Sequence, residues 1–208
     1  MARLVAQGTG EAVSGMIGLL LATLLTFKSQ SCGVSFTLPH GWTAEVEARD
    51  KDDSPRELCN IAVRPPRWRA KAKKSRWDIA DPPLTITIFK RGTRFESAAT
   101  DSEFERDEQG KLGFPGFRGV LATAEEYRAG RYTGIVATPF FRGYLREGAK
   151  TRIIDGEEES NVYSGESEHV LLRVNGRVVG LNCEGGTPDE HIECDAAIRA
   201  VLRRFSLR

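Results

Sequence analysis

The chain has 208 residues, with 30 Lys and Arg against 29 Asp and Glu, which gives a formal net charge of +1 at pH 7. With 40% hydrophobic and 28% charged residues, its composition excludes a wholly disordered chain and a membrane protein with many spans. The near-neutral charge disfavours a dedicated nucleic-acid binder, because affinity for a polyanion needs a net or strongly local positive field. At this length we expect one domain with an appendage.

The start of the chain is typical of a targeting segment. Residues 12–27 carry no charge, and Met16–Phe27 is apolar apart from Gly and Thr, which is the length of a signal-peptide core. Small residues precede Cys32, so the sequence predicts a signal peptide over residues 1–31 with cleavage after Ser31. An uncleaved N-terminal membrane anchor is the alternative. Either interpretation predicts an exported protein, in the periplasm, the cell envelope or the extracellular space.

Cys32, placed directly after the targeting segment, raises the question of a lipoprotein. Lipid-modified cysteines begin mature bacterial lipoproteins, but an aliphatic residue normally stands three positions earlier, where this chain has Ser29. An ordinary cysteine is therefore the favoured interpretation. Without residues 1–31, the predicted domain 32–208 has 28 basic and 28 acidic residues and is formally neutral.

The four cysteines make an even number, as expected of disulfides in an oxidising compartment. Cys183 has the spacing of a strand facing a core and Cys194 that of a helix facing a core, so we favour the pairs Cys183–Cys194 and Cys32–Cys59. A metal site made from Cys183, His191 and Cys194 is the alternative. It lacks a fourth ligand and a CxxC motif, and no metal or cofactor is predicted.

The first strands are predicted from alternating apolar and polar residues. Val34–Leu38 and Ala44–Ala48 alternate on either side of the turn Pro39–Trp42 and are expected to form a hairpin. Leu58–Val63 and Leu84–Lys90 are the next two strands.

A proline-bounded insertion over residues 65–83 separates these last two strands, because proline cannot continue a hydrogen-bonded ladder. It carries a run of positive charge with tryptophans at both sides, which suits an anionic surface such as lipid, an acidic envelope polymer or an acidic partner protein. A solvated loop is the alternative. The candidate binding residues are Arg67, Trp68, Arg69, Lys71, Lys73, Lys74, Arg76 and Trp77.

The middle of the chain predicts a mixture of helix and strands. Phe95–Glu108 contains neither Gly nor Pro and is read as a helix. Residues 118–145 are read as two or three strands, broken near Ala129-Gly130 and Pro139. Residues 147–160 are read as a solvated loop.

The end of the chain predicts a hairpin followed by a helix. The hairpin covers 169–183, and its Asn175-Gly176 supplies the two positive φ angles of a type I′ turn. Thr187 has the position of a helix N-cap before Pro188, so a helix is predicted from Pro188 to about Phe205. The fold class is therefore α+β with a mainly antiparallel sheet.

The phrase Phe36-Thr37-Leu38-Pro39-His40-Gly41-Trp42 and the final Arg203-Arg204-Phe205-Ser206-Leu207 resemble the PsbP-like superfamily of exported bacterial proteins. The resemblance implies an antiparallel sheet flanked by helices in an α/β/α sandwich. It also implies a binding or accessory role through a surface, without a shared catalytic set.

No catalytic set is predicted from the sequence. Gly165-Glu166-Ser167 lacks the second glycine and the strand-to-helix turn of a serine hydrolase elbow. We therefore expect an exported, non-enzymatic binding or accessory protein of the cell envelope. The alternative is an envelope hydrolase whose polar site is assembled only by the fold, with His40 or His169 beside a carboxylate.

Overall fold

The computed structural model describes residues 25–50, 53–68, 73–74, 83–151, 153–154, 157–158, 162–184, 186–187, 190–191 and 193–208. The helices that are described along their whole length are α1 (Phe95–Asp101) and α2 (Cys194–Leu202), with a short 3₁₀ turn at Phe117–Gly119. The strands of the first half are β1 (Leu25–Ser29), β2 (Val34–Leu38), β3 (Thr43–Val46), β4 (Glu57–Arg64), β5 (Leu84–Phe89), β6 (Glu105–Arg106), β7 (Leu112–Pro115) and β8 (Leu121–Thr123). Those of the second half are β9 (Glu125–Ala129), β10 (Tyr132–Ala137), β11 (Phe140–Tyr144), β12 (Ile153–Ile154), β13 (Glu157–Glu158), β14 (Val162–Val174), β15 (Arg177–Glu184), β16 (Gly186–Thr187), β17 (Glu190–His191) and β18 (Ser206–Leu207).

The central sheet has eight strands in the order β3-β4-β5-β15-β14-β10-β9, with β11 also paired to β14. Its strand pairs are antiparallel, as the sequence predicts. The hairpin of β14 and β15 is at its centre, and the turn residues Asn175 and Gly176 have φ angles of 48° and 74°. The predicted type I′ residues therefore hold the middle of the sheet in register.

Successive residues of β14 belong to different cores, because side chains alternate between the two faces of a strand. Val170 and Leu172 join the larger core, which α2 and the small sheet β1-β2-β18 cover. Leu171 joins the smaller core, which contains α1 together with Phe104 and Phe114. The helices thus lie on opposite faces of a mainly antiparallel sheet, and the predicted α+β class is confirmed.

The predicted hairpin of Val34–Leu38 with Ala44–Ala48 is wrong. β2 pairs with β1 and β18, whereas β3 pairs with β4 in the central sheet. Gly41 lies between these strands with a φ of 78°, and a Cβ there would lie 2.8 Å from Cγ of Pro66. The segment between the strands turns sharply beneath the start of the insertion and sends β3 to another sheet.

The helix predicted over Phe95–Glu108 ends earlier, at Asp101. Glu103 has a φ of 63°, and the amide of Phe104 donates to the Ala99 carbonyl at 2.9 Å. This reversal buries the Phe104 ring edge-on against Phe114, with centroids 5.5 Å apart. Burial of an aromatic ring thus outweighs continuation of a weakly amphipathic helix.

The helix predicted from Pro188 begins only at Cys194. Thr187 is not its N-cap but pairs with Glu190 in the short β16–β17 hairpin. The reason is the disulfide Cys183–Cys194, which holds the two Cα atoms 5.6 Å apart. The described residues of the connection pair as strands, Gly186 with His191 and Thr187 with Glu190, and do not continue the helix. Similarly, the predicted loop 147–160 contains the two-residue strands β12 and β13.

Most of the predicted targeting segment lies outside the described residues. Its last residues form β1, which pairs with β2 from Leu25↔Leu38 to Ser29↔Val34. The predicted cleavage position after Ser31 falls in the turn between these strands. Within the described part of the chain, no helix is long and apolar enough to span a membrane.

Candidate functional site

A polar cleft of about 360 Å³ opens on the face of the central sheet that carries α1. Because α1 has only seven residues, it packs over the end of this face near Phe89, Leu171 and Val178 and leaves the rest open. The floor of the cleft consists of neighbouring residues on three strands. These are Thr85 and Thr87 of β5, Gly180 and Asn182 of β15, and His169 of β14.

The walls of the cleft are strongly acidic. Five carboxylates line it, and they come from β4, the C-terminal end of α1, the end of β15 and the segment after β3. They are Glu47, Glu57, Asp101, Glu103 and Glu184. No Lys or Arg is among the lining residues, but Arg56 pairs with Asp101 and Arg64 with Glu47 from outside the lining.

Asp101 is held in place by the segment before β4. The Arg56 guanidinium donates to both carboxylate oxygens, at 2.5 and 2.7 Å, and Ser54 Oγ donates at 2.6 Å. The hydrogen bonds from Arg56 hold the pKa of Asp101 below its usual value. The pair joins the end of α1 to β4 and fixes one wall.

Glu57, the first residue of β4, is half-buried in the lining of the cleft. Burial raises the pKa of its carboxyl group, a hydrogen bond from Asn60 opposes this shift, and the nearby charges of Asp53 and Asp101 raise the pKa further. Asn60 Nδ2 donates to Glu57 Oε2 at 3.0 Å. An amide, and not a cation, therefore holds this carboxylate oxygen of Glu57.

His169 is the buried titratable group of the cleft, with 8% of its surface exposed. Its ring stacks on Phe114 with a centroid distance of 3.4 Å, and its Nε2 is 2.9 Å from Ser167 Oγ. Burial lowers the pKa of His169 from 6.5 to about 4. The imidazole is therefore neutral at pH 7, and its Nδ1 has no hydrogen-bond partner within the described part of the chain.

The predicted disulfides are both confirmed. Cys183 is bonded to Cys194 and Cys32 to Cys59, with a Cα–Cα distance of 5.9 Å in the second pair. The first joins β15 to the start of α2, and the second joins the turn after β1 to β4. The Cys183–Cys194 bond takes up both cysteines of the alternative metal site. The Cys32–Cys59 bond occupies Cys32 Sγ, so this atom cannot also carry a lipid thioether.

Four of the eight candidate basic binding residues lie outside the described residues, namely Arg69, Lys71, Arg76 and Trp77. Lys73 and Lys74 are exposed, as a charged contact surface requires. Trp68 differs from the expectation, because only 6% of its surface is exposed. Its amide donates to the Pro65 carbonyl at 3.2 Å after a positive φ at Arg67, which turns the ring inward.

The sequence interpretation did not find the cleft. The available signal is the alternation of Thr85 and Thr87 with Leu84, Ile86 and Ile88 along β5. A buried central strand that carries hydroxyls on one face indicates that this face is not fully covered by apolar groups.

The fold and the cleft together define an α+β domain with a mainly antiparallel sheet, helices on both faces and an acidic cleft on one of them. A scan against known protein families and a search of curated proteins found no match for the chain. Among solved structures, it is similar to a protein of Bacteroides thetaiotaomicron at 11% sequence identity, with a TM-score of 0.40 over 88% of this chain. The chain spans about half of that protein, 48% of its length.

The chain is also similar to the solution structure of cyanobacterial PsbP from Synechocystis sp. PCC 6803. The sequence identity is 11% and the TM-score 0.39, and the match covers 92% of this chain and 96% of that protein. At this degree of similarity, the roles of individual residues are argued from the chain's own geometry.

Proposed function

We propose that this chain is an exported, non-catalytic binding or accessory protein of the cell envelope that binds its ligand in the acidic cleft. The observation that carries the proposal is the cleft itself, an open and polar part of a sheet face that is otherwise packed with apolar residues. Leaving polar groups there forgoes apolar burial, which a purely structural sheet would gain.

Export is supported by the cysteines. Both disulfides close within the described fold, and disulfides persist in oxidising compartments. The targeting segment predicted over residues 1–31 agrees with this compartment. The location in the periplasm, envelope or extracellular space is part of the proposal.

The alternative function, a hydrolase, is favoured by the contact of Ser167 Oγ with His169 Nε2 at 2.9 Å. A serine nucleophile needs a base that accepts its proton, a third group that orients the base, and access to substrate. Ser167 is only 4% exposed, and the base has a pKa of about 4. No carboxylate bonds the second ring nitrogen of His169 within the described residues. These features favour a structural hydrogen bond over a catalytic pair.

Labelling with a fluorophosphonate probe separates the two functions. We expect the probe not to label Ser167 in the folded protein, because its hydroxyl is buried and its partner, His169, is a weak base. The measurement compares wild type with Ser167→Ala by intact mass, using exposed Ser164 in a matched Ser164→Ala control. Covalent modification that Ser167→Ala alone abolishes would establish the hydrolase instead.

We further propose that the basic insertion contacts an anionic envelope surface, with Lys73 and Lys74 among its exposed cations. Replacing Lys71, Lys73, Lys74 and Arg76 with Ser is expected to weaken binding to vesicles of phosphatidylglycerol. The expected loss is about 1 kcal/mol for each charge that reaches the vesicle surface. Vesicle sedimentation measures the effect. The matched control places Ser at four exposed basic residues elsewhere, Arg91, Lys111, Arg128 and Arg203. Equal binding by the two variants would contradict the proposal.

A further inference from the structure

We propose that the exported chain keeps β1 together with the apolar segment of residues 12–24 before it, and that this segment tethers the domain to a membrane. The inference rests on the proposed export and names the membrane as the partner. It begins from β1, Leu25–Ser29, which uses the last residues of the predicted targeting segment as a strand of the fold. A cut after Ser31 would remove this strand from the protein.

The pairing of β2 depends mainly on β1. β1 pairs with β2 along its whole length, from Leu25↔Leu38 to Ser29↔Val34, whereas β18 pairs only with Val34 and Ser35. Within the described residues, Phe36–Leu38 therefore has β1 as its strand partner, and all three of its residues are buried. Without β1, this stretch would become an open apolar edge, which favours pairing with other chains.

The side chain of Phe27 adds a packing contact to this pairing. It is half-buried against the larger core, and its ring centroid lies 5.0 Å from that of Phe36. Phe36 has 0% of its surface exposed and stacks in turn on Phe205, with centroids 6.0 Å apart. A cut after Ser31 would open this row of rings to water and forfeit the apolar burial.

The turn around Ser31 is built as the loop of a hairpin. The amide of Gly33 donates to the Gln30 carbonyl at 3.2 Å, and the amide of Cys32 donates to Ser29 Oγ at 3.2 Å. Gly33 has a φ of 65°, a conformation that glycine adopts at low cost. The residues on both sides of the predicted cut thus hold β1 against β2, a local design that has no use in a chain beginning at Cys32.

The sequence offers no other standard cleavage site nearby. Signal peptidases require small residues at the first and third positions before the cut. Between residues 16 and 31, Ser29 and Ser31 are the only Gly, Ala or Ser residues with this spacing. A chain that keeps β1 therefore also keeps residues 12–24, which carry no charge and partition into lipid in preference to water. Leu25, where β1 begins, is 59% exposed, so the chain enters the domain at its surface.

The intact mass of the full chain recovered from its host's envelope fraction tests the inference. We expect a mass for residues 1–208, with or without Met1, and we expect the protein to stay in the membrane pellet after an alkaline wash. A mass for residues 32–208, or for any chain that lacks the apolar segment, would overturn the inference. Release of the uncut chain by the alkaline wash would overturn the tether.

Two substitutions at the exposed Ser31 test the cut itself. Ser31→Leu places a large residue next to the bond and would block cleavage there, whereas Ser31→Ala keeps a small residue and would allow it. We expect both variants to begin at the same residue as the wild type. A longer chain in Ser31→Leu alone would show that the wild type is cut after Ser31.

The structural reason for keeping β1 is tested by thermal unfolding of the full chain in a mild detergent. Phe27→Ala is expected to lower the midpoint by roughly 4–8 °C, because the half-buried ring packs against the core. The matched control Leu25→Ala alters the same strand at an exposed position and is expected to shift the midpoint by less than about 2 °C. Equal midpoints in both variants would show that the fold does not depend on β1 and would remove the basis of the inference.

The outcomes for this inference and for the proposed export are distinguishable. A chain of residues 32–208 in the envelope fraction would overturn the tether and leave export standing. Recovery of the uncut chain from the cytoplasm, with thiols that are alkylated before reduction, would overturn export itself.

Discussion

Removal of either disulfide is expected to lower the free energy of unfolding by several kcal/mol. Cys183 and Cys194 are 11 residues apart and Cys32 and Cys59 are 27 apart. In the loop-entropy description, closing loops of these lengths restricts the unfolded chain enough to give about 3 and about 3.5 kcal/mol, respectively. Because domains of this size are stable by only about 5–15 kcal/mol, loss of both bonds leaves a marginal fold.

Guanidinium denaturation of Cys183→Ala/Cys194→Ala and of Cys32→Ala/Cys59→Ala measures the two contributions. Chemical reduction of the wild type is the matched control, since it breaks the same bonds without changing the sequence. Protein recovered from its host's envelope fraction is expected to take up four alkyl groups only after reduction. Unchanged midpoints would contradict the structural role of the bonds. Alkylation before reduction would contradict the proposed export.

The second large effect concerns acid. The pKa of His169 is about 4 in the folded chain against 6.5 without burial. Between these values the unfolded chain binds the proton and the folded chain does not, so stability falls as the pH falls from 6.5 to 4. The contribution of His169 to the free energy of unfolding is fully present above pH 6.5 and fully lost below pH 4. The loss attributable to His169 amounts to about 3 kcal/mol.

The measurement is the free energy of unfolding of wild type and of His169→Gln between pH 7.5 and pH 4. Glutamine cannot titrate in this range but can still hydrogen-bond Ser167, so the difference between the two proteins isolates the imidazole. Contributions of other groups, including the lowered pKa of Asp101, occur in both and cancel. His40→Gln, at an exposed position, is the control and is expected to follow wild type. Parallel curves for wild type and His169→Gln would show that His169 is not desolvated as the structure indicates.

The sequence alone determined the features that depend on local patterns. Alternation located β4, β5 and the central hairpin, because side chains alternate between the faces of a strand whatever its partner. Asn175-Gly176 identified its own turn, since only a few residue types adopt two consecutive positive φ angles easily. The cysteine pairs followed from an even number of cysteines on elements with core-facing patterns.

The tertiary structure decided what depends on residues distant in the chain. β2 reads as one arm of a hairpin by itself, but pairing with β1 and β18 and the approach of Pro66 to Gly41 assign it to another sheet. The start of α2 is set by its bond to β15 and not by a cap residue. In both cases a local preference is overridden by burial or by a covalent bond. The residue that makes this contact is distant in the sequence, so a local pattern does not include it.

The acidic cleft belongs to this second group. Its lining runs from Glu47 to Glu184, and only the antiparallel register brings Thr85, Asn182 and His169 into one row. The sequence showed exposed-looking acids and a lone histidine, each with an ordinary structural explanation. Folding removes water from the histidine and gathers the acids around it, so the field and the altered pKa arise only from the assembled sheet.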